Sequence, residues 1–200
     1  MRRLVFATNN RHKVEEIRAA LKGDIEIVTL EEAGLHGEIP ETADTLQGNA
    51  EQKARWVWER TGCDCFADDT GLEVKALDGA PGVYSARYAG EHCSFDDNID
   101  KLLQALDGVA DRSARFRTVI CLIEGGTSRY FEGQVNGQIL TERHSLGEGF
   151  GYDPVFMPER FAVSFAEMPL EVKNRISHRG LAVAKLADYL HNHPSPTSQS

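Results

Sequence analysis

Two adjacent aspartates, Asp68 and Asp69, lie inside the short run Phe66 to Val74 (FADDTGLEV), with apolar residues on either side. Like charges this close are costly unless a cation or hydrogen-bond donors hold them, so a chain folded around this run must bring such groups to it. Cys65, Phe66 and Ala67 read as the tail of a buried strand, Gly71 as a turn, and Leu72 and Val74 as the start of the next strand. The carboxylates then stand at a strand end. Successive residues of an extended chain point to opposite sides, so one aspartate can face open space while the other is tied into the structure. Taken alone, D-D-T-G reads first as an Asx turn; it gains weight from complementary chemistry elsewhere in the chain.

Two hundred residues, 41% of them hydrophobic, suffice for one domain with a proper core, in one lobe or two. The formal charge of -9 argues against a general nucleic-acid surface and makes local clusters of Lys, Arg and His more informative. Cys63, Cys65, Cys93 and Cys121 lack C-x-x-C spacing and read as reduced packing residues in a reducing compartment. Only Leu4 to Ala7 is apolar near the start, and no apolar run approaches membrane length. A cytoplasmic protein with no membrane partner is expected.

In chain order, Leu4 to Ala7 reads as a buried strand, and Val14, Ile17 and Leu21 mark the buried side of a helix. The junction Thr8-Asn9-Asn10-Arg11-His12-Lys13 places polar groups and cations at that helix N-terminus, where cations oppose the helix dipole. A bound anion would relieve the conflict; a plain Asn cap with solvated basic residues is an equal reading. Ile25 to Thr29 is a second strand, followed by a polar segment centred on Pro40, Glu41 and Thr42. Thr45 caps a helix with the stripe Leu46, Ala50, Ala54, Val57 and Trp58, and Asn49 and Lys53 project together from one side of it. Lys53 either snorkels or faces an anion.

Gly79 to Gly82 forms turns, Tyr84 to Tyr88 a structured loop, and Ser94 with Asp97 a capping box for a helix burying Phe95, Ile99, Leu102, Leu103 and Leu106. Arg115 to Ile123 is a strand covered on both faces in its second half. Phe131 to Ile139 alternates as a strand with one wet face, unless Asn136-Gly137 closes a hairpin there. In Gly147 to Pro154, glycines frame an exposed Phe150 and a Tyr152-Asp153 pair, a composition that lets a planar ligand approach backbone or merely forms a bulge. Lys173, Arg175, His178 and Arg179 cluster before a last helix capped by Ser177 and buried through Val183, Leu186, Ala187 and Leu190. His178 and Arg179 fall in its first turn, another place where cations call for an acceptor-rich ligand. Residues 193–200 read as a disordered tail after a domain spanning 1–192.

The ordered set of motifs carries a resemblance: Thr8-Asn9-Asn10 with Lys13, Glu41 in P-E-T, Asn49-Ala50 with Lys53-Ala54, A-D-D-T-G-L, G-A-P-G-V-Y-S-A-R, F-G-Y-D-P and K-N-R-I-S-H-R. From about Leu4 to Leu190 the chain resembles the RdgB-type inosine/xanthosine triphosphate pyrophosphatases. The resemblance implies an α/β fold, with a long bent mixed β-sheet and flanking helices forming two lobes around a central cleft, and a homodimer. It implies Mg2+-dependent hydrolysis of ITP, dITP and XTP to the monophosphate and pyrophosphate, which keeps these nucleotides out of DNA and RNA. Carried over by residue, Thr8, Asn9, Asn10, Arg11, His12 and Lys13 form a phosphate loop, Asp69 is the general base and a metal ligand, and Glu41 is the other metal ligand. Lys53 and Thr70 contact substrate. Phe150, Gly151, Tyr152, Asp153, Lys173, His178 and Arg179 recognise the nucleoside. No helix carries the clustered R-E-x-x-E-E glutamates of a Nudix hydrolase; a related enzyme for modified pyrimidine nucleotides and a non-hydrolysing nucleotide sensor are the alternatives.

Overall fold

The structure, a computed structural model, describes residues 2–21, 23, 25–144 and 150–194. Its strands are β1 (Arg2–Phe6), β2 (Ile25–Val28), β3 (Cys65–Val74), β4 (Pro81–Gly82), β5 (Ser113–Glu124), β6 (Thr127–Ile139) and β7 (Phe156–Pro158). Its α-helices are α1 (Arg11–Ala20), α2 (Leu46–Thr61), α3 (Phe95–Ala105), α4 (Leu170–Ile176) and α5 (His178–Asn192). The strands form one mixed sheet in the order β2-β1-β3-β5-β6-β7, with β4 on β3. The chain divides into two compact units, and β3, β5 and β6 each contribute residues to both.

The first unit comprises residues 1–69, 119–132 and 182–200. Here β1 pairs in parallel with β2 on one side and β3 on the other, as expected when helices connect the strands. Register sets Phe6 opposite Phe66, and their rings stack with centroids 4.4 Å apart. Val14 and Ile17 of α1, Leu21 at its C-cap, and Ala182, Val183, Leu186 and Leu190 of α5 join these rings and Ile120 and Leu122 of β5 in one buried cluster. The amphipathic stripes foreseen for both helices therefore face a core. His193 continues the last turn, donating its N–H to Tyr189 O at 3.0 Å; beyond Pro194, residues 195–200 of the expected tail lie outside the described residues.

In the second unit, residues 70–118 and 133–181, β4 lies antiparallel on Leu72 and Glu73 of β3. The core gathers Leu72, Val74, Ile99, Leu102, Phe116, Phe156 and Phe165. The capping box of Ser94 and Asp97 on α3 is present as read. Phe95, expected in the buried stripe, is instead 47% exposed, because the helix begins there, beyond the edge of the core. Along β6, Glu132, Gln134, Asn136 and Gln138 face out while Gly133, Gly137 and Ile139 are buried, so Asn136-Gly137 is strand and not hairpin. The reversal lies earlier, at Gly125 and Gly126, whose φ values of 52° and 84° suit glycine.

Two further corrections concern continuity. Gly71 is no turn: β3 runs unbroken through it, so Asp68 and Asp69 sit in mid-strand. The basic cluster before α5 is itself partly helical, as α4. Ser177 follows α4 and starts α5, its hydroxyl accepting from Gly180 N at 3.1 Å. Gly180 permits this reversal, since a Cβ there would lie 1.8 Å from the carbonyl oxygen of Asn174. Gly180→Ala is expected to cost about 3 kcal/mol, the upper end for overpacking against unyielding atoms, read as a lower urea midpoint. An unchanged midpoint would contradict the α4–α5 contact.

Candidate active site

Within the first unit the cationic and acidic side chains singled out in the sequence meet. The loop after β1 folds on itself: Asn10 N donates to Thr8 Oγ1 at 3.1 Å, and Asn10 Oδ1 accepts from Lys13 N at 3.3 Å as the N-cap of α1. That first turn carries Arg11 and Lys13 and no acid, so its dipole and its cations act in the same direction on an anion. Lys13 reaches Asp68, its Nζ 3.0 and 2.9 Å from the two carboxylate oxygens. The side chain of His12 lies outside the described residues; Asn9 and Arg11 are exposed.

Helix α2 holds the other carboxylates. Lys53, 6% exposed, lies 2.5 Å from Glu41 Oε1 and 3.4 Å from Asp69 Oδ1. Glu41 comes from an irregular segment, and α2 fixes that segment too. Asn49 Oδ1 accepts from Ala43 N, while Gln52 binds both the amide and the hydroxyl of Thr42. Thr45 caps the helix through Gly48 N at 3.0 Å. Burial alone would lower the Lys53 pKa, but the charges of Asp69, Asp68 and Glu41 outweigh it, and the net shift is upward. Burial raises the Asp69 pKa, with Lys53 opposing and Glu41 adding to the rise. Asp69 Oδ2 is buried with no hydrogen-bond partner. The site thus contains a partly satisfied carboxylate, Asp69, beside the Lys53 ammonium, and a second ammonium, Lys13, on the adjacent Asp68, a composition suited to binding phosphate oxygens and a hard cation.

The second unit gathers the remaining side chains. Phe150 is 46% exposed, and Gly151 follows at φ 57°. Tyr152 is buried, its hydroxyl donating to Ser85 O at 2.7 Å, and burial pushes its pKa up. Asp153 is buried in an ion pair with Lys173. His178 is buried with its ring stacked on Phe116, centroids 4.5 Å apart, and Arg179 follows it in the first turn of α5. Thr70 bonds the buried hydroxyl of Thr118 at 2.8 Å. Tyr152 and Asp153 therefore reach a ligand less readily than Phe150 does, and their side chains hold the segment in place. Gly147 and Gly149 of the same glycine run lie outside the described residues.

Sequence reasoning left Asp68 without a role beyond being tied in, and it missed Gln52 and Thr118. Asn49 and Lys53 at helical spacing pointed toward the first cluster, whereas nothing local marks Gln52 as the partner of Thr42. Cys63, read as a packing residue, is exposed; Cys65 and Cys121 are buried, and all four cysteines are free thiols.

Comparison with known proteins shows the family of the chain. The model of the Ham1 family matches residues 4–189. The chain belongs to the Ham1 family. It is 60% identical to a dITP/XTP pyrophosphatase of Porphyromonas gingivalis, over 95% of this chain and 98% of that protein. It is 54% identical to the protein of the same name from Flavobacterium johnsoniae, over 94% of this chain and 97% of the relative. Among solved structures it resembles a HAM1 protein from Coxiella burnetii, with a TM-score of 0.91 and 37% identity over 96% of this chain and all of that one. The α/β architecture of a mixed sheet with flanking helices is the Ham1 fold.

The buried ion pairs of this Ham1 chain make a pH-dependent prediction for metal-free protein. Removing Lys53 as Lys53→Met removes the charge that holds the Asp69 pKa down, so it rises further above 3.8. A carboxyl whose folded pKa exceeds its unfolded one stabilises the fold below the unfolded pKa, and that stability is lost as pH rises through the folded value. The variant should match wild type most nearly below pH 3.8 and lose on the order of 3 kcal/mol near neutrality, measured by urea unfolding in EDTA across pH. A pH-independent deficit would contradict the pairing.

Proposed function

We propose that this chain hydrolyses non-standard purine nucleoside triphosphates, ITP, dITP and XTP, between the α- and β-phosphates, releasing monophosphate and pyrophosphate. The observation that carries this reading is the paired arrangement of Lys13 on Asp68 and Lys53 on Glu41 and Asp69, in a chain 60% identical to a dITP/XTP pyrophosphatase. A triphosphate adds about four negative charges to a protein already at -9, so cations must be concentrated where it binds.

Thr8 to Lys13 supply amide donors, hydroxyl and amide side chains and basic charge to the phosphates, and Lys53 and Thr70 complete their contacts. Glu41 and Asp69 are assigned to Mg2+. Their oxygens are the hard donors that ion prefers, and Asp69 Oδ2 is buried without a close hydrogen bond. Among the described residues no three His, Cys, Asp or Glu side chains gather as a ready metal site, which fits an ion that keeps water and substrate phosphate as its other ligands. When bound, Mg2+ supplies charge stabilisation at the phosphate oxygens. Asp69 takes a proton from the attacking water, its basicity increased by burial and moderated by the neighbouring Lys53 charge. Lys13 and Arg11 offset the charge that builds on departing pyrophosphate.

Recognition of the base is assigned to the second cluster. Phe150 offers an exposed ring face for stacking, and Gly151 lets the ring approach backbone. His178 and Arg179 are assigned as donors to the acceptor at purine position 6, and Lys173, Tyr152 and Asp153 are assigned to the same nucleoside-recognition set. Adenine carries an amino group there, so those donors would face another donor, which disfavours ATP. The reading also includes a homodimer, and a single two-lobed functional domain over 1–192; the family match spanning both units supports the single domain. A reducing, cytoplasmic setting belongs to it as well. All four cysteines are free thiols, and among the described residues no helix is long and apolar enough to cross a membrane.

Incubation with Mg2+ and ITP, resolving products, should yield IMP and pyrophosphate and leave ATP largely intact; IDP with orthophosphate would overturn the proposal. Asp69→Asn should lower kcat at least about 100-fold, the scale of general-base loss, with nucleotide binding retained by calorimetry. His178→Ala and Arg179→Ala should each reduce the ITP-to-ATP ratio of kcat/KM about tenfold or more. A ratio equal to wild type would remove them from base selection.

A further inference from the structure

Phe95 is an apolar side chain that the core of the second unit does not use. It opens α3, whose Ile99 and Leu102, with Leu106 at the C-cap, fill the core behind it, yet it stands 47% exposed. Its ring meets that of Phe150 edge to face, centroids 5.1 Å apart and planes at 64°. This is a preferred geometry for an aromatic pair. Phe150 is itself 46% exposed, so the contact leaves much of its surface free.

The ground under Phe95 is firm. The capping box fixes the first turn of α3, with Ser94 N and Oγ donating to Asp97 Oδ2 at 2.7 and 2.8 Å and Asp97 N donating to Ser94 Oγ at 3.1 Å. The same turn receives Arg143, which donates to Asp96 O at 3.1 Å and Asp100 Oδ1 at 2.7 Å. Just beyond, His144 N donates to Pro154 O at 2.7 Å. The start of α3 therefore holds Arg143, upstream in the chain, by polar bonds, and Phe150, downstream, by ring contact.

We propose that Phe95 is a positioning residue that sets the ring plane of Phe150 as the platform for the purine base. The inference rests on the assignment of Phe150 to base stacking given above. A phenylalanine between glycine and open surface has freedom to lose when a base stacks on it, and a neighbour that fixes the ring beforehand lowers that loss. Phe95 itself does not touch the reacting atoms. Its removal should weaken recognition of the base and leave the chemical step alone.

The test is steady-state kinetics with ITP for Phe95→Ala, Phe95→Tyr, Phe150→Ala and the Phe95→Ala/Phe150→Ala double variant, with inhibition by pyrophosphate as a base-free probe. Phe95→Ala should raise KM about fivefold, the scale of an aromatic pair, with kcat unchanged, and Phe95→Tyr should restore KM. In the Phe150→Ala background the Phe95 change should add nothing, and the inhibition constant for pyrophosphate should equal that of wild type in every variant. An unaltered KM in Phe95→Ala, an equal increment with and without Phe150, or a shifted pyrophosphate constant would each overturn the proposal. The functional reading fails separately, by absence of ITP turnover in wild type. The base-stacking assignment fails if Phe150→Ala leaves KM for ITP unchanged, and the positioning role falls with it.

Discussion

The ammonium of Lys53 is buried between the carboxylates of Glu41 and Asp69, and the first cluster depends on that contact. Taking an ammonium or a carboxylate out of water costs several kcal/mol each, and mutual attraction recovers that only with good geometry. Three acidic side chains without Lys13 and Lys53 would repel one another and draw protons until neutral. With both lysines in place that repulsion is offset and the group is held together. The arrangement gives each lysine a carboxylate partner that a phosphate could replace, and gives each carboxylate a cation that a metal could replace. A site in this condition is prepared to exchange partners, with little new charge to be desolvated when the exchange happens.

The two clusters are built by different means. In the first unit, charge does the organising, and the backbone contribution is the helix N-terminus after β1 and the long buried helix α2. In the second, shape dominates: Tyr152 and His178 are locked by a hydrogen bond and a ring stack, and Gly180 lets α4 and α5 pass within a distance that excludes any side chain. This division matches the chemistry proposed for each. Phosphates are recognised by charge and tolerate lateral displacement, whereas discrimination between two purine edges needs donors held to within a fraction of an ångström.

What was legible in the sequence follows the range of the interactions involved. Strands and helices with regular apolar spacing, such as α1, β5 and the buried side of α5, could be read because their periodicity is local. The caps at Asn10, Thr45 and Ser94 were legible for the same reason. Gly71 misled because glycine inside a short apolar run looks like a turn, whereas pairing on both sides of β3 keeps it extended. Phe95 misled because helical spacing states which side of a helix is apolar and says nothing of where the core ends along it. Of the site, the residue types were visible and the order of motifs carried the resemblance. The partners of Lys13 and Lys53, Gln52 on Thr42, and the stack of His178 on Phe116 join residues far apart in the chain, and no local pattern encodes them.

The segment that carries Glu41 has no regular secondary structure, yet its tip is tied by three side chains of a single helix, Asn49, Gln52 and Lys53. The position of Glu41 is then set by α2 and is nearly independent of the path the chain takes from β2 to Pro40. Homologous sequences are free to lengthen, shorten or decorate that stretch while the carboxylate stays where it is. Variation there becomes a place for new surface properties to arise at no cost to the chemistry, and the helix bears the selective constraint on behalf of the loop.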